Sequence, residues 1–356
     1  MDYAKRRRKL RDWLDANGVD ALLISSEANL RYLFGFAGEG LGVVGRDALV
    51  STDRRYELDA AALPGRVKVA LAPDGHLTGA AEYLQSAQAR RVAFEADSTL
   101  YSAFESLKSK LPDAELVPAR KVVEELRTVK EPAEIDCIRR AAAIMDQALA
   151  AVLPTVEIGV TEREMALELE RATRLAGADA MAFGTICAFG PSAAFPHAVP
   201  GQRKLTAGDM IKIDCGAKLD GYCSDITRTV PPLEPDERFV EVYSAVYDAQ
   251  QAAVEAARPG ITGRELDAVA REIIAERGYA DQFSHSLGHG LGLEVHEGPR
   301  VSSRSEEVLR PGMVVTIEPG IYIEGWGGVR IEDSVAITRN GCERLTNAPK
   351  ADPPRG

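Results

Sequence analysis

Apolar residues fall into two kinds of pattern along this chain, and the change between them divides it. In the first third, short apolar runs stand between polar turns: "DALLISS" (20–26), "GVVGRDALVST" (42–52), "RVKVALAP" (66–73) and "RRVAFEA" (90–96). Runs of that length, bounded by Gly, Pro, Asp or Ser, predict strands. "AEYLQSA" (81–87) and "LYSAFESLKSKL" (100–111) carry the wider spacing of helices. The opening "MDYAKRRRKLRDWLDANG" sets Leu10, Trp13 and Leu14 among charges, which predicts an amphipathic surface helix. Near "ELRTVKEPAEI" (125–135) the character changes. Pro132 suits a first helical position, and Ile135, Ile138, Ala142, Met145 and Leu149 follow at spacings of three and four, an amphipathic helix of about five turns. The predicted organisation is an N-terminal α/β domain over 1–125, a second domain over 126–350 and a flexible tail at 351–356.

The second domain repeats itself. "GVTEREMALELE" (159–170) and "GITGRELDAVARE" (260–272) share Gly-(Val/Ile)-Thr-x-x-Glu, so Thr161/Glu164 and Thr262/Glu265 read as capping boxes opening two helices. Further on, "LTAGDMIKIDCG" (205–216) aligns with "LRPGMVVTIEPG" (309–320), and Asp214 falls on Glu318. A glycine-bearing turn and a second acidic strand follow each: "GYCSDITRT" (221–229) and "GGVRIEDSVAIT" (327–338), with Asp225 and Glu332 in comparable places. Two helix–hairpin units packed about a pseudo-twofold axis would bring all four carboxylates together.

Composition narrows the function classes. The chain of 356 residues carries a formal net charge of −11, which disfavours an extended nucleic-acid surface and leaves at most a small basic patch at the start. It shows no apolar signal region and no run of 18 apolar residues, so a soluble cytoplasmic protein is expected, without membrane contact. Five cysteines (137, 187, 215, 223 and 342) form no CxxC pair and read as small buried hydrophobes. Gly40-Leu-Gly-Val-Val-Gly45 matches the dinucleotide fingerprint in spelling, but a turn and a strand follow where a helix is needed.

The chemistry concentrates in the second domain. Asp214 follows "MIKI" and Glu318 follows "MVVTI", both patterns of buried strands, and a buried carboxylate needs a cation or a proton. Two divalent cations would cancel four such charges, in the manner of hydrolases that hold a metal pair about 3.5–4 Å apart. "SHSLGHGLGLEVHEG" (284–298) holds three of the five histidines, with glycine at 288, 290 and 292. Those glycines argue against a helix and for extended chain in close backbone contact. His289 is the candidate imidazole ligand. An oxygen-rich set with one imidazole suits manganese first, with cobalt or zinc also possible.

On "FPHAVPG", "IKIDCGAKLDGYCSDITRTV", "SHSLGHGLGLEVHEGP", "LRPGMVVTIEPGIY" and "GGVRIEDSVAIT", the second domain resembles the pita-bread metallopeptidases of the Xaa-Pro aminopeptidase and Xaa-Pro dipeptidase (prolidase) branch. "NLRYLFGFAG" and "STDRRY" add a weaker likeness to a creatinase-like first domain. The resemblance implies a mixed α/β fold with a pseudo-twofold catalytic domain. It implies two metals held by Asp214, Asp225, His289, Glu318 and Glu332, with Asp225 and Glu332 bridging. Glu318 would also carry a proton to the leaving proline nitrogen. His197 and His296 would serve the tetrahedral intermediate, His285 would line the pocket and Arg330 would shape its proline end. It implies a homodimer as well, in which the partner's first domain borders the site. The substrate expected is a peptide with proline second, cleaved by an aminopeptidase, because no insertion would seal the cleft. The alternative is a strict dipeptidase. A metal-free binding protein, a creatinase-like amidohydrolase, and a metal-dependent hydrolase of some non-peptide amide are the remaining readings.

Overall fold

A computed structural model describes residues 1–351, and the predicted tail, apart from Ala351, lies outside the described residues. The chain separates into two compact units, Met1–Arg127 and a second beginning at Thr128.

The first unit is built on a six-stranded mixed sheet. Its order is Lys68–Leu71, Ala48–Thr52, Leu41–Val44, Ala21–Ile24, Arg91–Glu95 and Glu115–Ala119. The run at 42–52 resolves into an antiparallel hairpin, with Val43 opposite Leu49. The glycine-rich 40–45 stretch therefore leads into strand Ala48–Thr52, and no helix N-terminus stands there to receive a phosphate. The helices His76–Ser86 and Tyr101–Lys110 cover the two predicted ones. Helix Glu27–Phe34 is not signalled by periodicity, because it has only eight residues and its outer side is short, with Glu27 exposed and Ala28 and Arg31 half-buried. Strand Glu115–Ala119 is equally silent, being a largely solvent-facing edge strand that contains Pro118.

The basic start behaves differently from its charge pattern. Helix Tyr3–Asn17 buries Leu10 and Leu14 as predicted, but it buries Arg6 and Arg7 as well. Arg6 Nη1 donates to Tyr32 O at 2.9 Å and Arg7 Nη1 to Leu33 O at 2.7 Å. These are carbonyls of the last turn of Glu27–Phe34, where cations complement the helix dipole. Two charges that look like a surface patch are thus consumed inside the unit.

In the second unit the predicted helix runs Pro132–Val152, burying Ile138, Ala142, Met145 and Leu149 while Ile135 stays half-buried. Both capping boxes form: Thr161 opens Glu162–Leu175 and Thr262 opens Gly263–Glu276. The repeat extends to the sheets. Ile211–Cys215 pairs antiparallel with Ile226–Val230, and Val314–Ile317 with Asp333–Ile337. A third strand flanks each hairpin, Ile186–Phe189 in the first half and Gly288–Gly290 in the second. Each half has its own apolar core, one around Met145, Leu169, Phe189 and Ile213, the other around Val246, Leu266, Val315 and Val335. Four of the cysteines are buried, Cys342 is partly so, and all five are free thiols. Among the described residues no helix is long and apolar enough to cross a membrane.

Candidate metal centre

Strand pairing brings the four acids to one place. Asp214 lies in Ile211–Cys215, and Asp225 immediately precedes the strand that returns beside it. Glu318 follows Val314–Ile317 directly, and Glu332 immediately precedes Asp333–Ile337. The two halves meet through backbone, since Glu332 N–H donates to Thr227 O at 3.1 Å. Asp214, Asp225 and Glu332 each present one oxygen within 4.8 Å of the others.

His289 arrives on the strand Gly288–Gly290. A Cβ at position 288 would come 2.0 Å from Thr316 O, and one at 290 would come 2.0 Å from Gly298 O. Only glycine lets that strand slot between its neighbours, which accounts for two of the three alternating glycines. His289 Nδ1 lies 3.1 Å from Gly290 O, a contact that requires the proton on Nδ1. Nε2 is then turned to Glu318 Oε1 at 3.2 Å and Asp225 Oδ2 at 3.7 Å. His296 stands edge-on to His289, ring centroids 4.3 Å apart.

The electrostatics call for positive charge. Burial, then the charges of Glu332, Asp214 and Glu318, push Asp225 well above the usual carboxylate range. Burial and the charges of Glu318 and Asp214 do the same to Glu332. Burial would raise Glu318 too, yet the hydrogen bond and charge of His289, with Arg330 and His285 behind it, bring it down to about 2. Two further atoms are telling. Asp214 Oδ1 and Glu332 Oε1 are buried and have no hydrogen-bond partner. A buried carboxylate oxygen without a donor is costly unless a cation meets it. Four carboxylates and one imidazole nitrogen, with two orphaned oxygens among them, form a donor set that could hold two divalent cations.

The remaining predicted residues distribute around this cluster. His285 Nδ1 lies 2.8 Å from Ser286 O, so its Nε2 accepts from Tyr322 OH at 2.9 Å. His197 lies in an exposed turn, close enough for its charge to help depress both His285 and His296, behind the larger effect of their burial. Arg330 belongs to the same buried network. It is 2% exposed, and its guanidinium donates to Asp214, to Tyr322 OH at 2.7 Å, to Thr227 Oγ1 at 3.0 Å and to Pro196 O at 3.2 Å. Every nitrogen of the guanidinium is thus engaged, on Asp214 and, through Tyr322, toward His285. Sequence reading missed Thr227, whose hydroxyl donates to Glu332 Oε2 at 2.7 Å, and Tyr322, which links Arg330 to His285. Neither residue type carries a signal without its partners.

Comparison with known proteins gives the family. Residues 136–339 match the model of metallopeptidase family M24, and residues 6–129 match that of the creatinase/prolidase N-terminal domain. The chain is 40% identical over 351 residues to a Xaa-Pro dipeptidase of Pyrococcus horikoshii, covering 97% of this chain and 98% of the relative. Its fold superposes on a Xaa-Pro dipeptidase from Bacillus anthracis with a TM-score of 0.95 at 38% identity, covering 98% of this chain and 99% of that one. An X-Pro aminopeptidase from Thermotoga maritima follows at a TM-score of 0.89 and 37% identity, covering 97% and 98%. With a dense carboxylate–histidine site in its second unit and matches that span nearly its whole length, the chain belongs to metallopeptidase family M24, carrying a creatinase/prolidase N-terminal domain ahead of the catalytic one.

Proposed function

We propose that this metallopeptidase is an Xaa-Pro dipeptidase whose metals are held by Asp214, Asp225, His289, Glu318 and Glu332. The observation that carries the metal site is the pair of orphaned buried oxygens, Asp214 Oδ1 and Glu332 Oε1, within the carboxylate cluster. When bound, a divalent pair supplies an activated water at neutral pH and a Lewis acid for the scissile carbonyl. Glu318, beside His289, takes the proton of the attacking water and delivers it to the proline nitrogen, which would otherwise have to leave as a strongly basic anion. His296 and His197 donate to the oxygen on which negative charge develops. His285, fixed by Tyr322, forms part of the pocket wall.

Two considerations move the preference from aminopeptidase to dipeptidase. The relatives named above at 40% and 38% identity are dipeptidases. A dipeptidase also needs a cation for the proline carboxylate, and Arg300 is the cross-strand partner of His289. Directly opposed residues of a ladder share a face, and Arg300 is exposed, which makes it the candidate cation although the pairing shifts register just after His289. The aminopeptidase reading keeps the support of the Thermotoga neighbour. Manganese occupancy and a homodimer whose partner borders the site belong to the same proposal. The deciding experiment is hydrolysis of Ala-Pro and Ala-Pro-Ala, before and after chelation and manganese addition, with metal analysis. Chelator-sensitive cleavage of the dipeptide alone is expected. Cleavage of the tripeptide would restore the aminopeptidase, and two bound metals without hydrolysis of either would end the proline-directed reading.

A further inference from the structure

Lys212 is fully buried and has no place in the chemistry described so far. It stands two residues before Asp214 in strand Ile211–Cys215, so its side chain leaves the sheet on the Asp214 face. Its Nζ donates to Ala193 O at 2.9 Å and to Phe195 O at 2.6 Å. Arg330 Nη1 adds a bond to Pro196 O. Three carbonyls just ahead of His197 are therefore gripped by two buried side chains. Ala193 is buried in the core and Ala198 packs against it, but Phe195 at 67% and Val199 at 85% exposed add no apolar anchor around His197.

The internal repeat shows the same position put to a different use. The matching position in the second half is Thr316, two residues before Glu318 and also fully buried. Thr316 Oγ1 accepts the N–H of His289 at 3.1 Å and donates to Glu318 at 3.1 Å. The strand of His289 corresponds to the one that holds Ala188, the cross-strand neighbour of Lys212, so the reach of Lys212 to the segment before His197 belongs to the first half alone.

We infer that Lys212 is a positioning residue that sets where His197 stands relative to the metal ligands. This rests on the proposal that His197 meets the substrate. Burial and the charge of Arg330, against that of Asp214, draw the Lys212 amine down to about 6. A neutral amine keeps two N–H donors for its two carbonyls, so the grip does not depend on its charge.

The test is a double-mutant cycle on the metal-loaded enzyme, using Lys212→Met and His197→Ala. Lys212→Met keeps the length of the side chain and removes the donors. Alone it should lower kcat/KM for Ala-Pro about tenfold, mainly through kcat, with metal content unchanged. In the His197→Ala background it should cost less than about twofold. The chain has only five histidines, so imidazole NMR of the zinc-loaded protein gives a second readout. The signal lost in His197→Ala identifies residue 197, and Lys212→Met should move that signal most. Fully additive losses, or loss of metal, would overturn the inference. A silent His197→Ala would remove the catalytic reading of His197 instead, and the NMR shift alone would then decide the grip. If Lys212→Met fails to fold, Gly328→Ala perturbs the same segment separately, because its Cβ would come 2.3 Å from Ala193 O. It should show the same lack of additivity with His197→Ala, and additive losses there would equally overturn the inference.

Discussion

In the first half of the second unit Thr161 bridges to Lys204 and opens Glu162–Leu175; in the second half Thr262 bridges to Val308 and opens Gly263–Glu276. Hydrogen bonds around these turns correspond one by one. Leu205 N–H donates to Val160 O at 2.8 Å and Leu309 N–H to Ile261 O at 2.9 Å, while Gly159 and Gly260 return bonds to Leu205 O and Leu309 O. The side chains do not correspond. Ile186 pairs with Asp214 in one half, and Glu318 N–H reaches Leu287 O in the other, so His289 occupies the place of Ala188. The halves also exchange support. Arg330 of the second holds Asp214 of the first, and Thr227 of the first holds Glu332 of the second. Arg228 of the first pairs with Asp333, beside Glu332. Backbone repetition places the acids, and asymmetric side chains turn that frame into one site that neither half could hold separately.

The most severe way to break the comparison is at its paired acids. Glu318→Gln should lower kcat by about 10³ with an unchanged circular dichroism spectrum, because the amide can no longer carry a proton. Substantial residual hydrolysis would remove Glu318 from proton transfer and make it merely the counterpart of Asp214. Next come the acids by which each half anchors its inner strand from its own helix. Glu162 accepts from Phe189 N–H and Gly201 N–H, both at 2.9 Å. Asp267 accepts from Leu287 N–H at 3.0 Å and from Arg271, which in turn holds Phe283 O and His285 O. Denaturant unfolding should show a loss of about 2 kcal/mol for Glu162→Ala and about 3 kcal/mol for Asp267→Ala, where a salt-bridge partner is also stranded. The reverse order would mean that the Asp267–Arg271 pair adds nothing to the anchor.

The smallest effects sharpen the symmetry itself. Thr161→Ala and Thr262→Ala should each cost about 1 kcal/mol at neutral pH, and by equal amounts. Backbone N–H and hydroxyl bonds from the threonines hold Glu164 and Glu265 below the ordinary carboxylate range. A carboxyl depressed in the folded state stabilises above its unfolded value of about 4.3, and that contribution fades as pH falls through the lower folded value. The gap between each variant and the parent should therefore narrow in acid. Unequal gaps would show that the two boxes carry different loads.

Much of this was legible in residue order because it depends on near neighbours. Capping boxes are written at i and i+3, the long helix at spacings of three and four, and buried strands as apolar runs ending in an acid. The doubling of those signals pointed to converging carboxylates, and the glycines around His289 pointed to an extended strand. Tertiary structure alone decided the rest. It turned Arg6 and Arg7 inward onto helix carbonyls, bonded Arg330 to Asp214, and set Lys212 under the segment before His197. It also left Asp214 Oδ1 and Glu332 Oε1 without donors. A cation's pattern in the sequence is the same whether it meets water or a buried carboxylate. Which it meets depends on partners far along the chain, as with Arg330 and Asp214, and on how much solvent the whole fold excludes between them.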